Sequence, residues 1–232
     1  MKALLRLQFY MSGGRGFIVT LAVYPMILLV FPHHTPDASL CVLTAAMLPA
    51  GLAFVPLGTE RAESVSHWRS YAKTLPYSRE QFVDAKYLFS LLCAAAAALL
   101  GALMLPLMMI RYPEAVSALP YAPSAAEITL MNTALSSAIV LASAAFLHPS
   151  YFQRSGKLIS YILGFLIFFF VFMFFVPFRL MMALSRCRWE PMTPFTRCLP
   201  YLMFAVSAVC FVLSWRISRK LYCRRRKRRR AA

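Results

Sequence analysis

The chain has 232 residues, 60% of them hydrophobic and 14% charged, and its 25 Lys and Arg against 8 Asp and Glu give a formal net charge of +17. Soluble domains run at roughly 45–50% apolar and about 25% charged, so a water-soluble enzyme or nucleic-acid-binding domain is a poor account of the whole chain. An aromatic content of 14% argues equally against a solvated, disordered chain. What remains is a polytopic membrane protein.

In chain order, residues 2–12 pattern as an amphipathic helix suited to lie along a membrane surface. A bilayer core about 30 Å thick needs about 20 apolar residues to cross it. The first such stretch, 16–35, follows the basic residues Lys2, Arg6 and Arg15. No small-residue cleavage pattern follows it, so it reads as a retained span rather than a signal peptide. Pro32 and Pro36 suit a hairpin turn into a second span at 39–59. Further spans are predicted at 88–110, 128–147, 158–178 and 198–215, the last closing on Trp215, a residue type that anchors at membrane interfaces. His148 and Pro149 read as the end of the fourth span. Pro25, Pro49, Pro106 and Pro177 are candidate kinks. The expected fold is all-α, with six transmembrane helices.

Basic residues in the connections set the orientation. The N-terminus carries three Lys or Arg, segment 58–87 five, 149–157 two and residues 216–232 ten. The opposite connections, 32–38, 111–127 and 179–197, carry none, one and four. Both termini are therefore expected in the cytoplasm.

The one connection long and polar enough to do work is 58–87. It holds Glu60, Glu63, Glu80 and Asp84 with five basic residues. Residues 60–74 lack Gly and Pro, and Trp68 and Tyr71, three apart, share a helix face. Leu75-Pro76 then breaks that helix. Ser78 is a candidate N-cap, and Gln81 stands three residues later at capping-box spacing. From there a new helix should run through Asp84, Lys86 and Tyr87 straight into the third span.

The run LPYSREQFVDAKYLFSLL at 75–92, preceded by the acidic Glu60 to Glu63 patch and the aromatic Trp68 to Tyr71 stretch, resembles the membrane subunits of ABC-2-type transporters. The signature positions are Leu75, Pro76, Ser78, Arg79, Val83, Lys86 and Tyr87. The resemblance implies an ABC-2-type transmembrane domain over 1–217, with a cytoplasmic coupling loop at 58–87, followed by a basic tail at 218–232. It implies pairing with an ATP-binding subunit that holds the ATP and Mg, and with a second permease subunit, as a homo- or heterodimer. The residues expected to couple to the ATPase are Glu60, Glu63, Trp68, Arg69 and Tyr71. The implied setting is a bacterial cell membrane, and the implied task is export of an amphipathic or hydrophobic substrate. The competing reading is a membrane scaffold or sensor that recruits partners through residues 58–87 and the tail.

Other chemistry is poorly supported. Gly13, Gly14 and Gly16 lack the Lys and hydroxyl of a phosphate loop, so energy is expected from another chain. The interiors of the six spans hold no Asp, Glu, Lys, Arg or His, which disfavours ion-gradient coupling and intramembrane acid–base catalysis. Ser136, Ser137 and Ser143 read as packing residues. His33, His34 and Asp37 read as a turn rather than a metal site. The six cysteines, at 41, 93, 187, 198, 210 and 223, form no C-x-x-C. Cys187 and Cys198 are expected to be reduced and unpaired. No catalytic, cofactor or metal residue is assigned in this chain. Segment 179–197, with Trp189 and Phe195, reads as an interface-resting loop. The Phe-rich fifth span suits lipid or a hydrophobic substrate better than water. The tail, directly after a span, is expected on anionic lipid head groups rather than nucleic acid, at about 1 kcal/mol per basic residue near the surface.

Overall fold

The computed structural model describes residues 2–11, 49, 51–56, 59, 63, 78–111, 123–152, 179–180, 182–183, 186–187 and 190–230. Every regular element among them is helical: α1 (Lys2–Met11), a 3-10 turn (Gly51–Ala53), α2 (Arg79–Arg111), α3 (Ala125–Phe152) and α4 (Pro194–Arg230). Stretches Arg79–Leu103, Ala125–Pro149 and Pro194–Tyr222 are long and apolar enough to cross a membrane. They contain the expected fourth and sixth spans and residues 88–103 of the expected third. The first and fifth, and most of the second, lie outside the described residues, as do Glu60, Trp68, Arg69, Tyr71, Leu75 and Pro76.

Each long helix starts where its sequence supplies a cap. At α2, the Gln81 N–H donates to Ser78 Oγ (3.2 Å) and the Ser78 N–H to Gln81 Oε1 (3.1 Å). This is a complete capping box, and Glu80 sits in the first turn, where a negative charge suits the helix dipole. At α3, Ser124 Oγ accepts from the Glu127 N–H (3.2 Å). At α4, Pro194 occupies the first helical position, where its missing N–H costs nothing, and the Arg197 N–H donates to the Thr193 carbonyl (3.2 Å). The helix beginning at Arg79 is continuous with the third span, as expected.

Helix α3 lies between α2 and α4. At one end of the bundle, Asn132 Nδ2 donates to the Gly101 carbonyl (3.1 Å) and Arg197 approaches Glu127 (4.0 Å). At the other end, Ser214 meets Ala145, and Tyr222 meets Phe152 and Phe82. Helices α3 and α4 therefore run parallel, each antiparallel to α2. Small residues permit the α2–α3 crossing. A Cβ placed on Gly101 would lie 3.1 Å from Ser136 Oγ and 3.4 Å from the Thr133 Cα. Ser136, Ser137 and Ser143 donate back to carbonyls four residues earlier, at 2.9, 2.7 and 2.7 Å, consistent with packing residues.

Against the sequence-based expectation, α1 lays its buried side, with Leu4 and Gln8, against the bundle, and Leu4 joins Phe82, Val83 and Phe152. Its amphipathic pattern thus reflects docking on protein. The fourth span closes at Pro149 as expected, while helix α3 itself runs on to Phe152. Proline at 149 leaves the Ala145 carbonyl without its intrahelical N–H, and the Ser214 hydroxyl of α4 takes that carbonyl at 2.7 Å. A neighbouring helix satisfies the freed group, so the helix can continue.

In the expected external loop, Leu180, Cys187 and Met192 are buried in the main core with Leu135 and Ile139. Cys187 and Cys198 are both free thiols. Burial raises the Cys187 pKa above the ordinary thiol value, against smaller lowering effects of Arg197 and the Met192 backbone N–H.

Candidate functional site

The informative chemistry gathers where α2 begins and α3 closes. An amide, a carboxylate, an ammonium and a phenol meet there on four separate stretches of chain. Glu63, the one described member of the expected coupling residues, has its side chain fully enclosed, and Lys86 Nζ lies 2.8 Å from its Oε2. Gln8 Nε2 of α1 donates to Oε1 at 2.8 Å, and the Tyr151 hydroxyl of α3 donates to Oε2. The Lys86 ammonium also sits over the Tyr151 ring, 4.1 Å from its centre, and 5.6 Å from that of Phe82. A buried ion pair persists only where its geometry is good and further hydrogen bonds serve the lone pairs, and Glu63 has both. Glu63 is thereby tied to α1, α2 and α3 at once.

One helical turn further along α2, Ser90 Oγ lies 2.8 Å from His148 Nε2 and 3.2 Å from the Lys86 carbonyl. The Tyr87 ring packs against His148, centres 4.7 Å apart. The Tyr87 hydroxyl contacts Ser214 Oγ at 2.6 Å and Ser218 Oγ at 2.8 Å. Because the Ala145 carbonyl can only accept, the Ser214 proton is committed to it. Tyr87 then donates to Ser214, and Ser218 donates to Tyr87. This fixed proton order joins α2, α3 and α4.

On the outer side, Trp215 Nε1 donates to Asp84 Oδ1 (2.8 Å), and Arg219 spans Asp84 (3.3 Å) and Glu80 (2.8 Å) while lying over the Trp215 ring. Arg79 reaches the Tyr222 carbonyl (3.5 Å) and ring (5.5 Å). Of the signature residues, Ser78 caps the helix, Arg79 meets α4, Val83 is buried beside Leu4, and Lys86 and Tyr87 serve the two polar networks. The sequence matches the family described as ABC-2 family transporter protein over residues 3–223. The chain belongs to the ABC-2 transporter family. It is accordingly a multi-pass membrane protein of a permease family whose members associate with an ATP-binding subunit. No curated protein and no solved structure matches it.

Sequence reasoning did not assign Gln8, Ser90, His148, Tyr151, Ser214 or Ser218 to these networks. A signal was present: each is a hydrogen-bonding side chain interrupting an apolar or amphipathic helix, where burial obliges it to find a partner. Glu63 was expected to face a partner protein, whereas its carboxylate is turned inward.

Proposed function

We propose that this chain is the permease subunit of a bacterial ABC exporter, moving an amphipathic or hydrophobic substrate with ATP hydrolysed on a separate subunit. The observation that carries this reading is the enclosed Glu63–Lys86 pair. A cytoplasmic segment that receives force must be fastened to the helices it moves, and Glu63 fastens residues 58–77 to the base of α2. Residues Trp68, Arg69 and Tyr71, with Glu60, form the docking face, and Glu63 is the anchor behind it. A lever pinned on three helices shifts them together.

Six crossings with both termini inside agree with the helix directions. Helix α3 finishes, and α4 starts, at opposite ends of the bundle, and α1 meets Glu63 at one end; both observations support the six-crossing reading. The permease works as a homo- or heterodimer, and the exposed Arg216 and Lys220, just past Trp215, rest among anionic head groups.

The test is co-purification with an ATP-binding subunit, and substrate-stimulated ATPase activity, in wild type and in a W68A/R69A/Y71A variant. Stimulation should be lost and subunit binding weakened in the variant. Full binding and stimulation would overturn the assignment of the dock.

A further inference from the structure

Helix α4 is much longer than a crossing requires. Its 37 residues span about 55 Å at 1.5 Å per residue, against a hydrocarbon core of about 30 Å. Tyr222 already stands level with the first turn of α2, touching Arg79 and Phe82. The helix then continues for eight residues, to Arg230, or about 12 Å past the start of α2. Neither Pro nor Gly follows Pro200 in α4, so nothing bends it.

Residues 224–230 are all Arg or Lys, so this extension carries seven positive charges in succession. Trp215, half-buried and bonded to Asp84, marks the interface, and Arg230 lies about 22 Å beyond it along the helix. The head-group layer is about 5–8 Å deep and the physiological screening length about 8 Å, so the far turns stand clear of the lipid surface. The helix also opposes itself, because like charges three and four residues apart destabilise it. Among the described acids, Glu63 is committed to Lys86, Glu80 and Asp84 to Arg219, and Glu127 approaches Arg197 at the far end of the bundle.

We infer that residues 224–230 form a rigid basic peg that docks on an acidic surface of the ATP-binding subunit, a second contact beside the coupling segment. This rests on the permease reading above, because that subunit sits at the end of the bundle where α2 begins and toward which the peg points. Counter-charge from an acidic protein patch both satisfies the seven cations and holds the segment helical.

The test uses the full chain in nanodiscs of phosphatidylcholine alone, titrated with the ATP-binding subunit that co-purifies with it. One variant carries R224Q, R225Q, R226Q, K227Q, R228Q, R229Q and R230Q together. A second, C223P, keeps every charge but breaks the rod at its base. Thermal unfolding of each variant checks that the bundle is intact. The neutral variant should bind the subunit about tenfold or more weakly, with a flatter salt dependence, and C223P should fall between it and wild type. Equal affinity for wild type and the neutral variant overturns the inference while leaving the permease reading intact. So does a tail effect confined to nanodiscs containing phosphatidylglycerol, or tail-dependent retention of nuclease-sensitive RNA with subunit affinity unchanged. Wild type that retains no ATP-binding subunit overturns both.

Discussion

Lys86 Nζ lies 2.8 Å from Glu63 Oε2 with both side chains enclosed, so neither charge has solvent to fall back on. Removing one partner of such a pair typically costs about 3–5 kcal/mol, because the other is left charged and buried. K86M and E63Q should each lower stability by about that amount. The double variant, which removes both charges, should be less destabilised than the sum of the two. A double-mutant cycle on thermal or denaturant unfolding in detergent checks this.

The Ser214 hydroxyl occupies the carbonyl that Pro149 leaves open. S214A should cost about 1–3 kcal/mol, since it strands a buried acceptor and takes a partner from Tyr87. P149A restores an N–H to that carbonyl within α3. The cost of S214A should therefore be smaller in a P149A background than in wild type. An equal cost in the two backgrounds, read from unfolding midpoints, would show that Ser214 does not compensate for the proline.

At the α2–α3 crossing, the atom nearest a Cβ on Gly101 belongs to a side chain, Ser136 Oγ at 3.1 Å, and the next, at 3.4 Å, is backbone. G101V should destabilise by about 1–3 kcal/mol through overpacking. G101A adds one methyl and gains helix propensity. Relieving the nearest contact with S136A should make G101A/S136A more stable than G101A alone. Thermal melts of the three variants decide the matter.

Cys187 is fully buried and donates from Sγ to the Ala183 carbonyl (3.2 Å). Burial lifts its pKa above the ordinary thiol value, so at pH 8 its thiolate fraction is below that of a free cysteine, and thiolate is the reactive form. In a variant retaining Cys187 as its one thiol, maleimide labelling at pH 8 should be about tenfold or more slower than in the denatured chain. The rate should go on climbing with pH beyond the range where a free thiol levels off. Fast labelling with an ordinary pH profile would contradict the burial.

Length, apolar runs and caps determined much of this protein from its sequence alone. Residues 88–110, 128–147 and 198–215 had to be membrane helices, because hydrocarbon leaves backbone groups no partner outside the helix. The start of α2 at Ser78 followed from a cap and a glutamine three residues on. These are local terms, and a sequence states them directly. Which polar side chains meet is a different quantity. The cost of burying Glu63 or Lys86 says that each needs a partner, but not that the partners lie 23, 55 and 88 residues from Glu63, at Lys86, Gln8 and Tyr151. That choice belongs to the helix crossings. The small residues around Gly101 let α2 and α3 close together, and α4 runs parallel to α3, bringing Ser214 onto the carbonyl freed by Pro149. Where α3 stops, where α1 docks and which way Glu63 points were therefore decided only when the helices packed.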